Sequence, residues 1–370
     1  MDFSVSDKAQ DYIERVKTFI QNEILPIEED YFKTLKALDN SWVVLPIVEE
    51  LKAKAKAQGL WNMFLPMEEY GPGLKNVEYA LVAEETGKSF LAPEIFNCEP
   101  GVASSDATNM AATAIVDGDE VVLNGRKWWS TGIGHPDCEI LIFMGLTDPS
   151  ASRHAQHSMV LVPRNTPGVK VESMLTVFGD YDEPYGHGEV SFTDVRLPKS
   201  AIIAGPGRGF EIAQGRLGPG RIHHCMRAIG AAERTLEMLI KRGASREAFG
   251  KKLISLGGNP DIVANARISI EQARLLTLKA AWMLDVKGVK AAMSEVSQIK
   301  VVAPNILQTI VDQAIQIYGG AGVSDDFGLT QLYAYARCLR LADGPDEVHR
   351  GLIAKFELAK HGIRSKRSSK

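Results

Sequence analysis

The residues best suited to chemistry lie near the end of the chain, in Ala336-Arg337-Cys338-Leu339-Arg340-Leu341-Ala342-Asp343-Gly344-Pro345-Asp346-Glu347-Val348-His349-Arg350. An apolar helical run stops at the Asp-Gly-Pro turn and a new helix begins at once. Pro345 suits its first turn, and Asp346 and Glu347 face its positive end. Asp343 therefore stands at a break between two helices. Flanked by Leu341, Ala342 and a glycine, its carboxylate is expected in an apolar cleft, where desolvation raises a carboxyl pKa and makes it a usable base. The same residue also reads as a plain turn residue capping the helix that starts at Pro345.

Four further stretches carry groups that could hold a ligand. In Lys127-Trp128-Trp129-Ser130-Thr131-Gly132, Thr131 can aim a hydroxyl at a ligand edge while an indole covers the ligand's face; alternatively both tryptophans fill a β core. In Glu99-Pro100-Gly101-Val102-Ala103-Ser104-Ser105-Asp106, the serines after a glycine-containing turn offer hydroxyl and backbone donors to a phosphate. Arg246, in Ser245-Arg246-Glu247-Ala248-Phe249-Gly250, lies just beyond a helix and offers a cation and a fork of donors to a diphosphate. Gln316 and the Gly319-Gly320-Ala321-Gly322 loop permit close backbone approach, or mark a helix stop; with no preceding strand the loop is not a Rossmann fingerprint. No metal site is expected. His223 and His224 are adjacent on a helix, about 100° apart, and do not easily ligate together. His154 and His157 precede a strand without nearby acidic partners, so structural or surface roles are expected for these histidines.

The elements that must position these groups follow from periodicity. Asp7–Ile20, Val43–Ala57 and Asn76–Phe90 show apolar residues at three and four spacings, the pattern of amphipathic helices. The loops Leu60–Pro66 and Tyr70–Gly73 carry large apolar residues suited to plugging a core. From about Ala111 the period becomes two. Ala114–Val116 and Glu120–Leu123 flank an Asp-Gly-Asp turn, Asn124-Gly125 gives a second turn signal, and Cys138–Gly145, Ser158–Pro163, Val169–Ser173 and Gly188–Phe192 read as further strands of an antiparallel β unit. After Gly205-Pro206-Gly207 the helical period returns in Arg221–Arg242, Asp261–Val286 and Ala291–Ile317, a bundle whose third helix Pro304 is expected to kink. The fold class is α+β, with an N-terminal helical domain over 1–98, a middle β domain over 99–205 and a C-terminal helical bundle over 206–370.

A length of 370 residues is ample for a large core and a buried ligand. A formal net charge of -4 gives no long-range field toward nucleic acid or an anionic membrane. The basic Arg364–Lys370 tail reads as a solvated terminus. Four scattered cysteines without a C-x-x-C pair suit a reducing compartment, and there is neither a signal-peptide pattern nor an apolar stretch of membrane-spanning length, so a cytoplasmic protein with no membrane span is expected.

Taken together, the Glu-Pro, Trp-Trp-Ser-Thr, Arg246, Gln316/glycine and Asp343 motifs stand in the order and approximate spacing of the acyl-CoA dehydrogenase family, which the chain resembles over most of its length. Gly215-Arg216-Leu217-Gly218-Pro219-Gly220-Arg221-Ile222-His223-His224-Cys225 and the Asp343 turn are similar to the subfamily of human acyl-CoA dehydrogenases ten and eleven and their bacterial relatives. The resemblance implies an FAD-dependent enzyme, a homodimer or homotetramer, that oxidises an acyl-CoA and passes electrons to an electron-transfer flavoprotein. It implies that Trp129 and Thr131 contact the flavin ring and that Ser105 touches the pyrophosphate. Arg246, Phe249, Gln316, Gly319 and Gly320 would hold FAD across the dimer interface, and Arg221 and Gly344 would bind acyl-CoA. Family members usually place a glutamate where this chain has Asp343, which shortens the reach by ~1.5 Å. Members with the base elsewhere carry it on the helix that here starts Gly220-Arg221, and Gly220 cannot serve, which leaves Asp343.

One departure bears on all of this. The family carries two helices and a strand between the region like Leu91–Cys98 and its Glu-Pro motif, whereas here Cys98 is followed directly by Glu99. Losing that block is expected to expose apolar surface and an unpaired strand edge. Besides the dehydrogenase, two readings therefore stay open: a non-catalytic acyl-CoA or fatty-acid binding protein of the same fold that has lost flavin, and a helical scaffold without ligand.

Overall fold

The computed structural model describes residues 3–96 and 110–363, and the chain divides into two compact units. One comprises Met1–Pro26, Lys56–Phe96 and Gly218–Lys370, and the other Ile27–Ala55 and Asn97–Leu217.

Helix α1 (Asp7–Phe19) starts at Ser6, whose Oγ accepts from the Ala9 N–H at 3.2 Å and donates to Glu78 at 2.7 Å. The expected stop at Ile20 is absent. The chain runs on through a π turn, Ile20–Ile24, into α2 (Leu25–Lys36), with Pro26 just after the π turn. Then come α3 (Pro46–Ala57), α4 (Asn76–Thr86) and the short α5 (Ala92–Phe96). The first N–H groups of α4 are held by one carboxylate: Asp285 accepts from Asn76 N at 3.0 Å and from Val77 N at 2.9 Å. Leu60 and Met63, from the loop expected to plug a core, are fully buried.

The β unit is a six-stranded sheet formed by β1 (Thr113–Asp117), β2 (Glu120–Thr131), β3 (Ile140–Leu146), β4 (His157–Pro163), β5 (Val169–Leu175) and β6 (His187–Pro198), in the order β4-β3-β1-β2-β6-β5. Alternate residues Val121, Leu123, Phe143, Val160, Val162, Val190 and Phe192 fill its core. Each such side chain contributes about 2 kcal/mol by leaving water. Asn124-Gly125 is not a second turn. It is a bulge inside β2, where the register with β6 shifts, Gly125 takes φ +139°, and a Cβ would strike Ala112 at 2.6 Å. Nor is the sheet wholly antiparallel, since β1 meets β3 in parallel at the single pair Thr113↔Leu146.

Helix α6 (Gly209–Ser245) starts well before the expected Arg221 and passes through Pro219. A two-residue hairpin, β7 (Glu247–Ala248) and β8 (Lys251–Lys252), follows. Helices α7 (Asn259–Lys287), α8 (Val289–Tyr318, with Pro304 inside it), α9 (Leu329–Leu339) and α10 (Asp346–Lys360) complete the chain. Within this helical unit α4 and α6 touch backbone to backbone. A Cβ on Gly230 would come within 1.9 Å of the Glu84 carbonyl oxygen, and one on Gly87 within 2.1 Å of that of Arg227, so only glycine fits at either position. Arg274 on α7 ties the same region together by donating to Glu84 at 2.8 Å, Glu233 at 2.5 Å and Glu271 at 2.6 Å. Among the described residues no helix is long and apolar enough to cross a membrane.

Candidate active site

Asp343 occupies the break between α9 and α10 with φ +54°, a left-handed backbone that costs a non-glycine residue free energy and is held only by its surroundings. Three contacts do the holding. Lys300, a fully buried cation on α8, donates to the carbonyl of Leu339 at the last turn of α9. Arg221 Nε donates to the Asp343 carbonyl at 3.1 Å, and His349 Nε2 lies 3.2 Å from the same oxygen. A carbonyl only accepts, so His349 carries its proton on Nε2. Pro345 caps α10 from just outside instead of entering its first turn. Asp346, the first residue of α10, is buried and accepts from Arg340 Nε at 2.9 Å and Asn305 Nδ2 at 3.1 Å, which staples the far side of the break to α9 and α8. Gly344, at φ +99°, lies against His349: a Cβ there would approach Nε2 to 3.0 Å.

The carboxylate itself is 14% exposed, and its buried Oδ2 accepts no hydrogen bond. Its surroundings differ from the apolar cleft expected of Leu341 and Ala342, both of which point to solvent. Arg221, His224, Lys300 and His349 surround it instead, with His224 Nε2 3.5 Å from Oδ2. Burial lowers the pKa of Arg221 and of Lys300, and the negative charge of Asp343 opposes both shifts. Burial, reinforced by the Arg221 and Lys300 charges, pushes the His349 imidazole down to about 4, so it is neutral at physiological pH. Burial pushes the Cys225 thiol up to about 12 and makes it inert. Sequence reasoning assigned His224 a structural or surface role and passed over Lys300 and His349. A usable signal was the helical spacing of Arg221, His224 and Arg227, which puts all three on one stripe of α6.

Arg246, Phe249, Gln316, Gly319 and Gly320 gather at one end of the helical unit. Tyr318 closes α8 against the last turns of α6, with its hydroxyl 3.4 Å from the Met238 carbonyl and the Arg242 guanidinium over its ring at 5.4 Å. Arg246 follows one turn beyond Arg242 and is exposed. Phe249 and Gly250 both take positive φ at the tip of the β7–β8 hairpin, a two-residue turn that leaves the Phe249 ring 95% exposed. Gln316 is exposed at the end of α8, and Gly319 and Gly320 have open space where a Cβ would stand.

In the β unit, Trp128 and Trp129 form a second bulge of β2, two residues opposite one between the pairs Lys127↔Val190 and Ser130↔Gly188. Trp129 takes φ +63°, and the indoles are 64% and 41% exposed, so neither fills the β core. Thr131 Oγ1 lies 2.9 Å from His187 Nδ1, and the other nitrogen of that ring faces Asp182 at 3.8 Å. Arg221, Gly344 and Asp343 thus form one cluster, Arg246 to Gly320 a second, and Trp129 with Thr131 a third. Ser105 and the Glu99-Pro100 motif lie outside the described residues.

Family profiles match along the chain: acyl-CoA dehydrogenase N-terminal domain over residues 6–110, middle domain over 96–195 and C-terminal domain over 207–358. Acyl-CoA dehydrogenase family member 11 of Gallus gallus is 48% identical over 96% of this chain, which spans only 51% of that protein. That alignment runs over 400 positions against a chain of 370 residues, so the relative carries segments with no counterpart here. A Mycobacterium tuberculosis protein described as acyl-CoA dehydrogenase FadE2 is 44% identical, with 97% of this chain and 98% of its own length aligned. A solved structure from Mycobacterium abscessus, described as an acyl-CoA dehydrogenase, is 54% identical, with a TM-score of 0.92 over 97% of this chain and 100% of its own. With the three profiles in sequence and a relative matched nearly end to end, the chain belongs to the acyl-CoA dehydrogenase family.

Proposed function

We propose that this protein is an oxidoreductase that uses FAD to introduce a double bond between Cα and Cβ of an acyl-CoA thioester, with Asp343 as catalytic base and an electron-transfer flavoprotein as the electron acceptor. The observation that carries this reading is the Asp343 turn. A carboxylate in a costly backbone conformation, largely buried and with its carbonyl gripped by Arg221 and His349, is a preorganised proton acceptor and not a mere cap.

The residues present suit the dinucleotide. Exposed Arg246 offers a cation to a diphosphate, and the Gly319-Gly320 backbone leaves room for close approach. Phe249, almost wholly exposed at a hairpin tip, and Gln316 complete a surface suited to a cofactor shared with an adjacent subunit, in a homodimer or homotetramer. Trp129 offers an indole face and Thr131 a hydroxyl held toward His187. Bound FAD supplies the acceptor for the β-hydrogen and its electron pair.

What the chain does follows from the turn. Asp343 takes the α-proton as the thioester carbonyl gains enolate character, and the bonding pair remains on the substrate. Arg221 and Gly344, beside Asp343, are assigned to acyl-CoA. Arg221 also fixes the base through its carbonyl, so the aspartate, shorter than a glutamate, is held in place by its backbone.

The test is an absorption spectrum of the purified protein from the near ultraviolet to the blue, before and after anaerobic addition of a long-chain acyl-CoA. A flavin spectrum that bleaches supports the dehydrogenase. The segments by which relatives exceed this chain make the binding-protein reading the alternative outcome: a protein that stays colourless when supplied with FAD yet binds acyl-CoA overturns the proposal.

A further inference from the structure

We propose that His224 is a positioning residue for Asp343, fixed by Arg227 in the tautomer that turns an Nε2–H toward the carboxylate. The inference rests on the reading of Asp343 as the base. Arg221, His224 and Arg227 follow one another at three-residue intervals on α6; Arg221 and His224 face Asp343, and Arg227 faces His224. An Arg227 terminal nitrogen lies 2.9 Å from His224 Nδ1. A guanidinium has donors and no acceptor, so Nδ1 receives the bond and the neutral ring keeps its proton on Nε2. That nitrogen stands 3.5 Å from Asp343 Oδ2, a buried oxygen with no hydrogen bond. Distances of this size are usual before substrate binds and shorten in the complex.

The arrangement answers the problem set by a short base. Arg221 holds the main chain of Asp343, and His224 fixes its side chain by binding one carboxylate oxygen. The other oxygen, Oδ1, is left to receive the α-proton: the substrate C–H bond breaks, the O–H bond forms, and the electron pair stays on the thioester. Other charged or titratable groups also face Asp343: Arg221 and Cys225 from α6, Lys300 from α8 and His349 from α10. Cys225 and His349 are neutral near pH 7, and Arg221 and Lys300 spend their described hydrogen bonds on backbone carbonyls. A donor bond to the charged carboxylate lowers its basicity, so removing His224 raises the pKa of the base as well as loosening its side chain.

The experiment has two arms. In the first, the rate of flavin bleaching by a long-chain acyl-CoA is followed against pH for the parent, His224→Leu and His224→Gln holoenzymes. His224→Leu is expected to bleach about tenfold more slowly, with its acid limb about one unit higher and acyl-CoA affinity unchanged, and His224→Gln, which restores an N–H donor, to return the limb toward the parent. A His224→Leu profile superimposable on the parent overturns the proposal. The second arm needs no turnover: nitrogen NMR of the imidazoles in the purified protein. A His224 ring protonated on Nε2, whose pKa falls by about one unit in Asp343→Asn, supports the pairing. An Nδ1–H tautomer, or a titration unmoved by Asp343→Asn, overturns it. Absence of bleaching in the parent would overturn the dehydrogenase reading, and the ring signals would still decide whether His224 and Asp343 are paired.

Discussion

Arg221 and Asp343, far apart in sequence, are joined by a bond from a side chain to a backbone: the guanidinium Nε of the first donates at 3.1 Å to the carbonyl of the second and leaves the carboxylate to other work. A bidentate pairing of the same two residues would have neutralised the carboxylate as a base. The main chain is anchored and the acid group is kept available.

Asp343→Asn is expected to lower the rate of flavin bleaching by acyl-CoA by at least about a thousandfold, since an amide cannot take the α-proton. Flavin content should stay near that of the parent, because the residues assigned to FAD lie elsewhere. Stopped-flow absorbance with the matched flavin-to-protein ratio checks both. Bleaching at a comparable rate would remove Asp343 from its role.

Arg246→Ala is expected to act on the other quantity. With the cation opposite the diphosphate gone, flavin occupancy after purification should fall severalfold and recover in part with excess FAD. The absorbance ratio of flavin to protein reads this directly. Normal occupancy would count against Arg246 as a cofactor contact.

Acid should destabilise the helical unit through His349. Its folded pKa of about 4 lies below the usual 6.5, so above 6.5 the imidazole is neutral in both states and has no effect. Below 6.5 the unfolded chain takes up a proton that the native state refuses, and stability falls until the pH nears 4. At pH 5 the loss is about 2 kcal/mol. His349→Gln should flatten the dependence of Tm between pH 7 and 5; an unchanged slope would mean that another group sets it.

Arg274→Met is expected to cost on the order of 3 kcal/mol, because it strands the buried carboxylate of Glu84 without its cation, while Glu233 keeps Arg267. Urea denaturation followed by circular dichroism measures this. A loss under about 1 kcal/mol would mean that water reaches Glu84 on removal of the arginine.

Much of the architecture was legible in periodicity, since a stripe at three and four spacings or an alternation at two reports directly which face is buried. The limits of the elements were less so. Gly218-Pro219-Gly220 looks like a break, yet α6 runs through it, and Asn124-Gly125 looks like a hairpin turn, yet it bulges within β2. At Asn124-Gly125 the pairing of β2 with β6 overrides the local signal. The site divides along the same line. Asp343 declares itself through its turn, and the spacing of Arg221, His224 and Arg227 marks one stripe of α6, whereas Lys300 and His349 matter only because α8 and α10 converge on that turn, which no spacing in sequence encodes. The two tryptophans are a related case. Composition favours burying them, and a bulge puts them in solvent instead.

The contact of α4 with α6 at Gly87 and Gly230 has a consequence for reading genetic variation in this chain. The carbonyl that sits against Gly87 belongs to Arg227, on the stripe that leads to the carboxylate. A methyl group added at either glycine must push the two helices apart, and the displacement enters the site through Arg227. A variant in the N-terminal helices, distant in sequence from any reacting atom, would therefore present as a kinetic lesion with flavin retained, and a screen that sorted variants by distance from Asp343 along the chain would misfile it.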